Sequence, residues 1–186
     1  LGEDYQIKYL KMTEGPGTGI DPLKVVARYI KDGDTYRLAG DKESSSADMT
    51  IHMVIDAYYV DLLNPRVTDA FILSTHEEYK KHLGQYFGTV IKGVFTDEPQ
   101  VHSAGFAWSH ALPALFDELH GYDLEERLFE LFSDHDTGFK LDYIKTINTA
   151  FSRHFVKKLH KWCDDNGLAL TGHFSAEDGL VHQSLV

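Results

Sequence analysis

The stretch MTIHMVIDAYYVDLL, residues 49–63, decides how this chain is read. Its first part, MTIHMVIDA (49–57), alternates apolar and polar residues in part, as a strand with one buried face does. Its second part, YYVDLL (58–63), is a short apolar run that leads into Asn64-Pro65. Asparagine caps helix N-termini and proline suits the first helical position, so a helix is expected to start there. We place a boundary between 57 and 58, with antiparallel strands before it and alternating strands and helices after it.

Upstream, strands are expected over 5–12 (YQIKYLKM), 23–30 (LKVVARYI), 35–40 (TYRLAG) and 49–57. The connectors EGPGTG (14–19), Asp32-Gly33-Asp34 and DKESSSAD (41–48) are turn-like, so 1–57 read as N-terminal strands with a small antiparallel meander.

Downstream, Val67, Ala70, Phe71, Ser74, Tyr79 and Leu83 approximate one helical face that stops at Gly84. TVIKGVFT (89–96) is the next strand, followed by a long loop over 97–108. Ser109 caps a short helix ending at Gly121, and Asp123 with Glu126 resembles a capping box for a helix over about 124–132. The recurrence of Ile144, Ile147, Phe151, Phe155, Leu159 and Trp162 predicts a long helix over 140–165, and LALTGHF (168–174) is a further strand. Strands separated by helices predict parallel pairing. No glycine-rich phosphate signature follows any strand, which weakens a nucleotide-binding sheet. The expected fold is therefore α/β: a partial (β/α)8 (TIM) barrel over 58–186, with residues 1–57 as a β insertion. A whole barrel needs about 250 residues, so the chain reads as part of a larger protein.

Composition narrows the ligand. The chain has 186 residues, 42% hydrophobic, with 18 Lys plus Arg against 29 Asp plus Glu, a formal net charge of −11. That balance, with no basic block, argues against nucleic acid or an anionic membrane as partner and favours neutral or cationic ligands. Cys163 stands alone, so a disulfide framework and a thiolate metal cluster are excluded. No apolar run reaches membrane-span length and no signal peptide is visible, so a soluble, cytoplasmic protein is expected. An incomplete barrel would expose strand edges and apolar helix faces, so self-association is a further expectation.

Active sites of parallel α/β folds lie at the carboxyl ends of the strands. There the sequence places Asp61, then Thr96-Asp97-Glu98, then Thr171-Gly172-His173 with Glu177 and Asp178 beyond. Glycoside hydrolysis uses two carboxyl groups, one held protonated by burial or by a like-charged neighbour. Asp97 and Glu98 are neighbours on a strand and point to opposite faces, so they take different jobs. Trp108, in the loop after them, could stack on a sugar ring. Each residue also has a plain reading: a solvated loop start for Asp97-Glu98, a hydrogen-bonded core imidazole for His173, a turn for Asp61, packing for Trp108. The eleven histidines show no metal-ligand spacing, and no cofactor is expected.

The linked motifs VDLLNP (60–65), THEEY (75–79), YFG (86–88), FTDEP (95–99), WSHALPALFDELHGYDL (108–124) and HKWCDDNGLALTGHF (160–174) carry a resemblance. Over residues 58–178 the chain resembles large bacterial (β/α)8-barrel glycoside hydrolases, the alpha-L-rhamnosidase family 106 and its relatives. The resemblance implies that FTDEP ends the fourth barrel strand and that Glu98 is the general acid, with a carbohydrate as substrate. It implies a partner carboxylate on a later strand; Glu177 is the one local substitute. Asp97, Asp61, His173, Trp108 and Glu177 are then substrate-binding candidates. Two alternatives remain beside this reading. One is a carbohydrate-binding or degenerate barrel without hydrolysis. The other is a metal-assisted barrel hydrolase with Asp97, Glu98 and His173 as ligands.

Overall fold

The computed structural model describes residues 2–101, 104–134 and 138–173. Seven strands form among them: β1 (Gln6–Glu14), β2 (Val25–Asp32), β3 (Thr35–Leu38), β4 (Met49–Val60), β5 (Gly93–Asp97), β6 (Phe106–Trp108) and β7 (Ala169–His173). Five of them build one curled antiparallel sheet in the order β3-β2-β4-β1-β6. The other two, β5 and β7, pair with each other in parallel and join no other strand.

This overturns the partial (β/α)8 barrel. β4 is one twelve-residue strand that runs on through residues 57 and 58. β1 follows β4 in register from Glu14↔Met49 to Ile7↔Asp56, and the next pair is Gln6↔Val60. One step in β1 thus spans four in β4, and residues 57–59 are absorbed as a bulge. Bulges interrupt alternation and re-aim side chains without ending the strand. Here the Asp56 carboxylate accepts from the Tyr58 amide at 3.0 Å, and Tyr58 stands 97% exposed. The segment 58–63 is therefore no separate parallel strand. Among the described residues β5 and β7 are the single parallel pair, and no strand-helix repeat builds a barrel wall. The antiparallel strands of 1–57 are the principal sheet rather than an insertion.

After β4 the chain turns at Asp61, whose carboxylate accepts from the Leu63 amide, and enters a helix at the expected place. Asn64 Oδ1 accepts from the Arg66 amide at 3.0 Å, and Pro65 opens α1 (Pro65–Phe71). A π-helical turn (Ile72–His76) carries it into α2 (Glu77–Leu83). Beyond β5, residues 106–108 leave the expected loop and pair with β1 as β6, Lys8 opposite Trp108. Next come α3 (Leu112–His120), a short 3-10 helix (Leu128–Phe132), and α4 (Phe139–Phe151). A second π-helical turn (Ser152–Val156) leads into α5 (Lys157–Asp165).

The core lies between the sheet and these helices, where Leu10, Tyr29, Ile51 and Trp108 meet Phe116, Leu128, Phe139 and Leu159. A fully buried apolar side chain of this size contributes about 1.5–3 kcal/mol. Two phenols tie the layers: the Tyr29 hydroxyl donates to the Glu125 carbonyl and the Tyr143 hydroxyl to the Ala107 carbonyl. Burial pushes both phenols well above their usual range, so they stay neutral donors.

The parallel pair needs close backbone contact. A Cβ on Gly172 would lie 1.9 Å from the Thr96 carbonyl oxygen, and one on Gly93 would lie 2.6 Å from that of Ala169. Glycine at both positions is what lets β5 and β7 pair.

Candidate functional site

The carboxyl ends of β5 and β7 form the candidate site. In register, Thr96 faces Gly172 and Asp97 faces His173 across the pair. Alternation turns Val94, Thr96 and Leu170 toward the helices, half-buried, and leaves Phe95, Asp97, Thr171 and His173 exposed. The His173 Nδ1 lies 3.7 Å from Asp97 Oδ1, with the two side chains 52% and 72% exposed. At that exposure the pair orients the two groups but adds little stability. The Phe95 ring meets the His173 ring edge-on at 5.1 Å.

Glu98 continues the rim. Its φ is 44°, and it is the one non-glycine residue with positive φ among those described. Its amide donates to the His173 carbonyl at 3.1 Å, extending the β5–β7 ladder by one bond. The positive φ ends the regular strand geometry after Asp97. Pro99 follows, buried, and closes the strand.

Two cavities adjoin this rim. One, of about 330 Å³, is lined by Tyr5, Tyr59, Val67, Phe71, Pro99 and Phe155, among others. The second, of about 290 Å³, is lined by His160, Thr171, Gly172 and His173 with Leu159 and Leu170. Thr96 and Phe155 border both. Ser74 and Phe155 come from the two π-helical turns, a local geometry often met at functional sites.

The structure thus brings together Asp97, Glu98 and His173. It places two other candidates elsewhere. Asp61 is 1% exposed and lies 3.5 Å from the Lys8 ammonium, itself 1% exposed. Burial raises the Asp61 carboxyl above its usual value, opposed first by Lys8 and then by hydrogen bonds from the Ser109 hydroxyl and the Leu63 amide. Lys8 is further held by the Asp4 and Gln6 carbonyls at 2.9 and 2.8 Å. Trp108, opposite Lys8 in register, is 3% exposed and forms part of the core. These residues form a structural knot under the first turn of α1, with no surface to offer a sugar. Glu177 lies outside the described residues. The aromatic lining of the larger cavity was not singled out from sequence: Phe155 read as one more core position of a helix, and Tyr5 as the start of a strand.

Among the described residues no group of three or more His, Cys, Asp or Glu side chains is arranged to hold a metal ion, so Asp97, Glu98 and His173 do not form a ligand set. No described helix is long and apolar enough to cross a membrane. The chain matches no protein-family model and no curated protein sequence, so its chemistry is read from this geometry.

Proposed function

We propose that the Asp97–Glu98–His173 rim belongs to a carbohydrate-active hydrolase that cleaves glycosidic bonds. Glu98 is the general acid in this reading. Its carboxyl proton passes to the glycosidic oxygen as the bond to the anomeric carbon breaks. Water adds its hydroxyl to that carbon and releases a proton to a partner carboxylate, while Asp97, paired with His173, binds the sugar. The observation that carries the proposal is the Glu98 backbone: a left-handed conformation costs about 1–2 kcal/mol in a residue with a Cβ and is retained mainly where it serves a site. A neutral sugar also suits a chain of net charge −11.

The test is the Glu98→Gln variant. It should lower turnover of an unactivated glycoside by about 10²–10⁴-fold while sugar binding persists, as removal of a general acid does. Unchanged turnover would sink the assignment. The open setting of Asp97 and His173 favours one second reading, sugar binding without cleavage. Saturable binding with no turnover by the wild-type protein would identify it.

A further inference from the structure

We infer that the apolar cleft beside Glu98 receives the leaving-group half of the substrate, and that this group is an aromatic alcohol rather than a second sugar. The inference rests on the glycoside reading above. Thr96 and Pro99, which bracket Asp97-Glu98 in the chain, both line the cleft, so it adjoins the segment that carries the acid. Its volume, about 330 Å³, falls at the small end of the range for small-molecule sites, about 300–1,000 Å³. That is room for a ring system, not for a protein surface.

The two cavities differ in chemistry on either side of Thr96 and Phe155. The smaller one is lined by polar residues, His160, Thr171 and His173, beside Leu159 and Leu170. The larger one is walled by Tyr5, Tyr59, Val67, Phe71, Pro99 and Phe155, among others. A sugar placed there would find few polar partners beyond the hydroxyl-bearing Tyr5, Tyr59, Ser74 and Thr96, which costs binding. An aromatic ring would meet aromatic edges and faces and keep its one polar oxygen at the border with Glu98.

The test uses the whole chain and free para-nitrophenol as probe, at mildly acidic pH where the phenol is neutral. Two variants fill the cleft from α1 and the π-helical turn after it: Ala70→Trp from a half-buried position and Ser74→Phe from an exposed one that tolerates bulk. Circular dichroism and thermal melts establish that each is folded, and two variants guard against one failing. The wild type should bind para-nitrophenol saturably, a free monosaccharide should not displace it, and each folded variant should bind more than about tenfold more weakly. Absence of saturable binding, or binding unaffected by the filled cleft, overturns the inference. Turnover of para-nitrophenyl glycosides is measured in parallel. Phenol binding without turnover overturns the hydrolase reading and with it the leaving-group role, leaving an aromatic-binding site. Turnover without phenol binding overturns the cleft inference alone.

Discussion

Replacing Lys8 by methionine tests the packing logic beneath the sheet. Lys8 and Asp61 are each 1% exposed, and the ammonium supports the carboxylate at 3.5 Å and two backbone carbonyls. Methionine keeps the volume and deletes the charge, leaving Asp61 as a buried carboxylate without its cation. Breaking a buried pair from one side costs about 3–5 kcal/mol. With a urea slope of about 2 kcal/mol per molar, the unfolding midpoint falls by about 1.5–2.5 M. The pH dependence sharpens the test. The folded Asp61 carboxyl titrates above its unfolded value, because burial outweighs Lys8. Between the unfolded and folded values the native state binds more protons, so stability contributed by this group rises as pH falls. Without Lys8 the folded value climbs further, and the deficit of Lys8→Met should narrow on acidification. The double variant Lys8→Met/Asp61→Leu should recover most of the loss at neutral pH, since apolar replacement of a whole buried pair is often neutral or stabilising. A Lys8→Met midpoint within about 0.5 M of wild type at neutral pH, or a deficit that widens in acid, refutes this reasoning.

Gly172→Ala should disrupt the β5–β7 pair, because its Cβ would meet the Thr96 carbonyl at 1.9 Å; amide exchange at Thr96 to Glu98 reads this directly, and unchanged protection contradicts it. His76 is 5% exposed between the Phe71 and Trp162 rings, and burial holds its imidazole below the usual value. Stability should therefore be full above the ordinary imidazole value of about 6.5 and fall as pH drops through it toward the folded value, and His76→Phe should flatten that decline in urea titrations across pH. Glu98→Gly relieves the positive φ and should raise thermal stability by about 1 kcal/mol while turnover is lost, so a variant less stable than wild type argues against backbone strain at this position.

Much of the local structure was legible because its causes are local. Asn64-Pro65 announced a helix, and its cap bond to Arg66 is present. The β2–β3 hairpin turns at Gly33, whose φ is 63°, and the strands ending in Thr96-Asp97 and Gly172-His173 were expected close to where they fall. What failed depended on distant partners. The Asp56-Ala57-Tyr58 break looks like a strand end in sequence, and only pairing with Gln6 and Ile7 makes it a bulge. Once β4 continues, the segment 58–63 is no parallel strand, and the barrel expectation goes with it. Phe106-Ala107-Trp108 is too short to signal a strand; its place comes from pairing with Lys8 to Leu10. At Asp123 the carboxylate accepts from the Glu125 amide two residues on, and a turn with a short 3-10 helix stands where a capped helix was expected. Of the site, the meeting of Asp97, Glu98 and His173 was legible from strand ends. Asp61 and Trp108 were not separable from them, because burial is a property of the packed molecule.

The most direct test of the proposed chemistry is how the loss in Glu98→Gln depends on the leaving group. A general acid matters most when the departing oxygen is basic and least when it leaves as a stable anion. Glycosides of one sugar, methyl against dinitrophenyl, should therefore separate: turnover of the methyl glycoside collapses in Glu98→Gln, while the dinitrophenyl glycoside retains most of its rate. Equal losses on both substrates, or no loss on the methyl glycoside, would contradict a proton donated by Glu98.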